Sequence, residues 1–119
     1  MGSAYDVFLA VKKAQADADV VTMRTLFAAD ATMYEPYVSG TVNGPAVAEY
    51  LGTICGTEFA ALEYVVLGSI GDGARAAVEL DEVVTLLDGS TVHLRNCTIV
   101  ECRDGVVVRW YEYLQPMKR

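Results

Sequence analysis

The chain has 119 residues, the size of one domain with a single core, and with 53% hydrophobic and 21% charged residues it lies well inside the range of sequences that fold. Nine Lys and Arg against 16 Asp and Glu leave a net charge of −7, which argues against nucleic acid and against anionic membrane surfaces, since both are held by clustered cations. No run approaches the roughly 20 apolar residues that span a bilayer, and no basic segment precedes the first apolar run at 7–11, so a cytoplasmic protein is expected.

In chain order, Ser3 with Asp6 three residues on has the form of a capping box for a first helix over 4–18, with Tyr5, Phe8, Leu9 and Lys12 along one side. Asp19 caps a short second helix whose apolar stripe is Met23, Leu26 and Phe27, and Asp30 ends it. Residues 31–38, with Thr, two Tyr and Val before turn-rich Ser39-Gly40 and Asn43-Gly44, read as a strand, and Pro36 points to a sheet edge. Pro45 suits the first turn of a third helix with Val47, Tyr50, Leu51 and Ile54 on its core face, and Gly56 stops it. Three Asp-Gly pairs, at Asp72, Asp88 and Asp104, then punctuate four strands near 61–70, 74–87, 90–102 and 105–114. Helices on one face of a curved antiparallel sheet make an α+β cone.

Much chemistry is excluded by what the chain lacks. His93 is the single histidine, so multi-histidine metal sites and H-E-x-x-H are ruled out, and no metal is expected. There is no G-x-G-x-x-G after a strand, no G-x-x-x-x-G-K-[ST] and no G-x-S-x-G elbow. Cys55, Cys97 and Cys102 are an odd count without C-x-x-C spacing, which fits reduced thiols packed as small apolar groups. What remains for catalysis is carboxylates, tyrosines, one arginine and one histidine, facing a closed apolar cavity.

Two local patterns carry a resemblance. One is Phe27-Ala-Ala-Asp30-Ala-Thr-Met-Tyr34-Glu35-Pro36-Tyr37 followed by Val42-Asn43-Gly44, and the other is Asp104-Gly105-Val-Val-Val-Arg-Trp110-Tyr-Glu112-Tyr. With the element order and the length, they resemble the nuclear-transport-factor-type superfamily, which includes ketosteroid isomerases, SnoaL-like polyketide cyclases and limonene epoxide hydrolases. The resemblance covers nearly the whole chain, as one domain. It implies a cone-shaped barrel of three N-terminal helices packed on a curved, mostly antiparallel sheet, a small apolar substrate in the cone, no cofactor, and a homodimer formed through the convex sheet face.

The resemblance also implies site residues. Compared with ketosteroid isomerases, Glu35 falls on the carboxylate that shuttles a proton between two carbons, with Phe27, Met33, Tyr34 and Tyr37 as a wall that raises its basicity. The oxyanion-hole positions fall near Val11 and Cys97, which cannot make that hydrogen bond, so a donor is sought among Tyr5, Tyr34, Tyr50 and Tyr111. Compared with limonene epoxide hydrolases, an Arg and Asp two apart and a last-strand Asp become Glu79, Asp81 and Glu112, with Trp110 and Tyr34 at two pocket positions. Arg95 on the neighbouring strand stands in for the missing cation, and His93, Arg95 and Cys97 would line the pocket mouth.

Strand parity decides whether these acids meet. With two-residue loops, Asp81 lies opposite Asn96 and Tyr113, Glu112 lies opposite Cys97 and Leu80, and the acids face opposite ways. A three-residue loop with a glycine bulge at Asp88-Gly89 shifts the register by one and gathers Asp81, Cys97 and Glu112, the arrangement the resemblance favours. Three functions stay open. The first is an isomerase or cyclase with Glu35 as base and Asp81 or Glu112 as acid, on a polyketide-, terpenoid- or steroid-like substrate. The second is epoxide opening by Asp81 and Glu112, and the third a dimeric ligand-binding module without catalysis.

Overall fold

Ser3 caps the first helix as its spacing predicts. In a computed structural model that describes residues 3–36 and 40–117, its hydroxyl accepts from Asp6 N at 3.2 Å while the Asp6 carboxylate accepts from Ser3 N at 3.2 Å. Helix α1 (Ala4–Ala16) ends two residues before the expected Ala18, whose backbone has turned left-handed at φ 53. It buries Val7, Phe8, Val11 and Lys12, the i, i+1, i+4, i+5 stripe of an inward helical face. Asp19 caps α2 (Val20–Leu26) by accepting from Thr22 N at 3.0 Å.

No loop separates α2 from β1 (Phe27–Glu35), which overturns the expected helix to Asp30. Phe27 is extended, at φ −119 and ψ 141, because it pairs with Val107 of the last strand, and that tertiary pairing outweighs the helical spacing of Leu26 and Phe27. The turn-rich stretch that follows contributes β2 (Gly40–Asn43), and β2 rather than β1 is the sheet edge. Pro36 sits just past the end of β1, and Tyr37 lies outside the described residues. Helix α3 (Ala46–Thr53) crosses α2 at Gly52, where an added Cβ would lie 2.8 Å from Val20 Cα.

The meander is β3 (Phe59–Gly71), β4 (Arg75–Leu86), β5 (Thr91–Arg103) and β6 (Val106–Pro116). The six strands form one sheet in the order β2-β1-β6-β5-β4-β3, antiparallel except for the β1–β6 pair. It is curved and unclosed, so the cone is open along two edges rather than a sealed barrel.

Two irregularities set the register. The β4–β5 turn has three residues, closed by Leu86 N donating to Ser90 O at 2.8 Å, with Gly89 at φ 87, a conformation glycine takes without strain. This turn places Asp81 opposite Arg95. The tight Asp104-Gly105 turn, with both residues at positive φ, is followed by a bulge that leaves Val108 without a partner on β5, so Glu112 falls opposite Thr98. The two shifts run in opposite senses. Asp81 and Glu112 therefore face opposite sides of the sheet, and the gathering of Asp81, Cys97 and Glu112 does not occur.

The helices cover the inner face. Trp110, fully buried, stacks on Phe8 at 5.4 Å between ring centroids and tilts against Phe27 at 6.1 Å, joining β6 to α1 and β1. Val78, Leu80, Val100 and Val107 complete the core beneath the helices.

Candidate functional site

The core stops short of the open end of the sheet, where a cavity of about 230 Å³ remains. That is just below the usual range for drug-sized ligands, so it has room for a small molecule. Its walls are apolar, with Leu51, Ile54, Phe59, Leu62, Val84 and Leu94 among them, while Glu35, Glu82, Glu112 and Gln15 form a polar floor. All four floor residues are 4–6% exposed.

A continuous hydrogen-bonded chain lies under that floor. Lys12 of α1 reaches Glu82 Oε2 at 2.7 Å and Gln15 Oε1 at 2.9 Å. The Asn96 amide nitrogen donates to Glu82 Oε1 and to Glu112 Oε1, the latter at 3.0 Å, and Trp110 Nε1 donates to Glu112 Oε2 at 2.7 Å. Every member is buried, so the network offsets its desolvation only through these mutual hydrogen bonds. Burial first, then the negative charges of Glu82 and Glu35, push the Glu112 carboxyl up to about 7, against the opposing pull of Lys12 and of the Trp110 N–H. For Lys12, burial alone would lower the pKa, but Glu82 and Glu112 outweigh it and hold the ammonium above its ordinary value. The Tyr50 hydroxyl is buried in the cavity wall near the Glu35 carboxyl, and burial first, then the Glu35 charge, pushes its pKa up. It stays a neutral donor.

Of the residues expected to form the site, Glu35 and Glu112 line the cavity. Trp110 and Val11, both fully buried, lie in the core, with Trp110 touching the site through its N–H. Glu79, Asp81, Arg95 and Cys97 do not line the cavity: they share the outer face of the sheet. There Arg95 Nε donates to Asp81 Oδ1 at 2.6 Å, His93 Nε2 lies 3.5 Å from the same oxygen, and the Arg95 guanidinium holds the Asp81 carboxyl below its ordinary value. Tyr34 is also outward, its ring 5.9 Å from Tyr111 and 5.8 Å from Tyr113.

The residues that sequence reasoning missed are Glu82, Asn96, Lys12 and Gln15. Glu82 is Asp81's neighbour, turned inward by the register. Lys12 carried a signal of its own, a charge on the apolar side of α1.

A family model for the SnoaL-like domain matches residues 8–110. The chain belongs to the SnoaL-like domain family. Solved structures share the fold of this SnoaL-like domain at low identity. They include a limonene-epoxide-hydrolase-like epoxide hydrolase from M. tuberculosis (TM-score 0.78, 20% identity, 94% of this chain and 82% of that one). A second is an NTF2-like protein of unknown function from Burkholderia pseudomallei (TM-score 0.81, 17% identity, 97% and 92%). A third, from Catenulispora acidiphila, has a ketosteroid isomerase-like fold (TM-score 0.78, 15% identity, 90% and 83%). No curated protein matches the sequence significantly. Among the described residues of this SnoaL-like domain, no helix is long and apolar enough to cross a membrane.

Proposed function

We propose that this SnoaL-like domain is a cofactor-independent acid–base enzyme of the isomerase or cyclase type, acting on a small, largely apolar molecule that carries a carbonyl oxygen. The observation that carries this reading is Glu112: a carboxyl on the floor of an apolar cavity, gripped by Trp110 and Asn96, and poised at about 7. A group of that pKa both gives and takes a proton near neutrality. In the proposed step Glu35 removes a proton from the carbon beside the carbonyl while Glu112 delivers one to the carbonyl oxygen, giving the enol. Where the substrate carries a carbon–carbon double bond one carbon beyond the α-carbon, the enol is a dienol, and return of the proton from Glu35 to its far carbon, with Glu112 recovering its own, shifts the double bond and completes an isomerisation. Tyr50 adds a neutral donor in the wall, and the apolar walls exclude water from the exchange.

The test can be made before the natural substrate is identified. Exchange of α-hydrogens of small cyclic ketones into D2O, followed by NMR, is expected with the wild type and reduced about 100-fold or more in Glu35→Gln and in Glu112→Gln. Absence of exchange across the panel overturns the isomerase reading, and ligand binding without exchange would favour a non-catalytic binding module.

A second reading is favoured by the Asn96 bridge. Two carboxylates, Glu82 and Glu112, share one amide with the Lys12 cation beside them. The group is similar to the acid–cation–acid set that the epoxide hydrolase resemblance implied at Asp81, Arg95 and Glu112, with Glu82 in place of Asp81 and Lys12 in place of Arg95. Isotope from labelled water appearing in a diol, lost in Glu82→Gln, would select this reading over the first. In either case we propose a homodimer formed through the outer face, where Val65, Ile70 and Tyr113 are 63%, 82% and 50% exposed.

A further inference from the structure

The isomerase step gives Lys12 no role, yet it is a chemically costly side chain. It is 1% exposed among the apolar residues of α1, its Nζ is 5.6 Å from the Tyr64 ring centroid, and it does not line the cavity. Packing α1 on the sheet requires no charge there, because an unbranched apolar side chain fills similar space without the desolvation of an ammonium. Its geometry indicates its use. Lys12 occupies Glu82 Oε2, Asn96 occupies Glu82 Oε1, and Thr98 Oγ1 donates to Asn96 Oδ1 at 3.3 Å. With its oxygen and one N–H committed, Asn96 has one amide hydrogen left, and that hydrogen is aimed at Glu112.

We propose that Lys12 is a positioning residue: by pairing with Glu82 Oε2 while Glu82 Oε1 accepts from Asn96, it orients Asn96 and leaves Glu112, rather than Glu82, as the carboxyl that exchanges its proton with the cavity. Two carboxyls bridged by one amide and lacking a cation share a proton between them, and the acid is then assigned to neither. The groups facing Glu112 are Lys12 from α1, Glu82 from β4, Glu35 from β1 and Tyr50 from α3, with Tyr64 of β3 acting on Lys12. Only Lys12 among these is a cation. The inference rests on the proposed function in naming Glu112 as the acid, but its charge distribution is measurable without any substrate.

The experiment is a pH titration of glutamate carboxyl carbons by NMR in the full chain, with Glu112→Gln and Glu82→Gln assigning the two signals. In Lys12→Met the Glu112 midpoint is expected to rise by about one pH unit or more, because a nearby opposite charge is lost. Lys12→Arg is expected to keep the wild-type midpoint. Glu82→Gln, which retains the shape of the pair, is expected to lower the Glu112 midpoint, since it removes a like charge and frees the cation. A folded Lys12→Met protein with an unmoved Glu112 midpoint overturns the proposal and leaves Lys12 a purely structural part. If Lys12→Met does not fold, an unmoved midpoint in Glu82→Gln overturns it equally. A wild type with no carboxyl titrating near neutrality would instead sink the acid assigned under the proposed function.

Discussion

Asp81 and Glu82 are neighbours on one strand, each in a short ion pair, and they live under different physics. Asp81 meets Arg95 at 2.6 Å on the outer face with its side chain 29% exposed, whereas Glu82 meets Lys12 at 2.7 Å with its side chain 5% exposed. Contact distance does not separate them. Water does: it screens the outer pair and competes for its donors, while the partners of the inner pair rely on each other and on Asn96 and Gln15. A buried pair is therefore expected to be sensitive to the loss of either partner, and an exposed pair nearly indifferent.

Breaking the inner pair should have the largest effect. Lys12→Met leaves Glu82 buried without its cation and is expected to cost about 3–5 kcal/mol in denaturant unfolding. The next effect is in pH. Glu112 is raised from 4.5 to about 7, so between those values the folded chain holds a proton that the unfolded chain has lost. Its contribution is fully present below pH 4.5, declines as pH rises through 7 and is flat beyond, about 3 kcal/mol in all. The stability difference between wild type and Glu112→Gln across pH 4–8 measures it. Asp81 runs the other way, because Arg95 lowers its pKa: its contribution is present above 3.8 and fades as pH falls below that.

Trp110→Phe keeps the stack on Phe8 but leaves Glu112 Oε2 without a donor. A loss of about 1–3 kcal/mol is expected, together with an upward move of the Glu112 midpoint. On the outer face, Val65→Asp or Ile70→Asp should convert a dimer to monomer in sedimentation while leaving monomer unfolding within about 0.5 kcal/mol. The smallest effect is expected from Arg95→Gln. It should leave both the unfolding midpoint and the Glu112 titration unchanged within error, and a shift comparable to that of Lys12→Met would erase the contrast between the faces.

The same two residues mark how far the sequence can be read. Helix caps, the three Asp-Gly pairs and the final-strand pattern are local signals, and they carry the element order, while Glu35 and Glu112, which line the cavity, follow only from the family resemblance. Which of Asp81 and Glu82 faces inward is not local. It depends on one extra turn residue before Gly89 and one unpaired residue at Val108, each of which flips parity, and both are settled by how the sheet packs. The end of α2 escapes a local reading for a related reason, since the pairing of Phe27 with Val107 spans most of the chain.

The position of β6 between β1 and β5 also bears on how the molecule is assembled during synthesis. Until β6 emerges, the sheet has two pieces, a β1–β2 hairpin and a β3–β5 meander, with no strand to join them. The joining strand carries Trp110 and Glu112, so the core's central aromatic and the poised carboxyl arrive in the same late event, across the most distant contacts in the fold. A lesion that delays β6 withholds Glu112 from the proposed site and exposes two unpaired strand edges together.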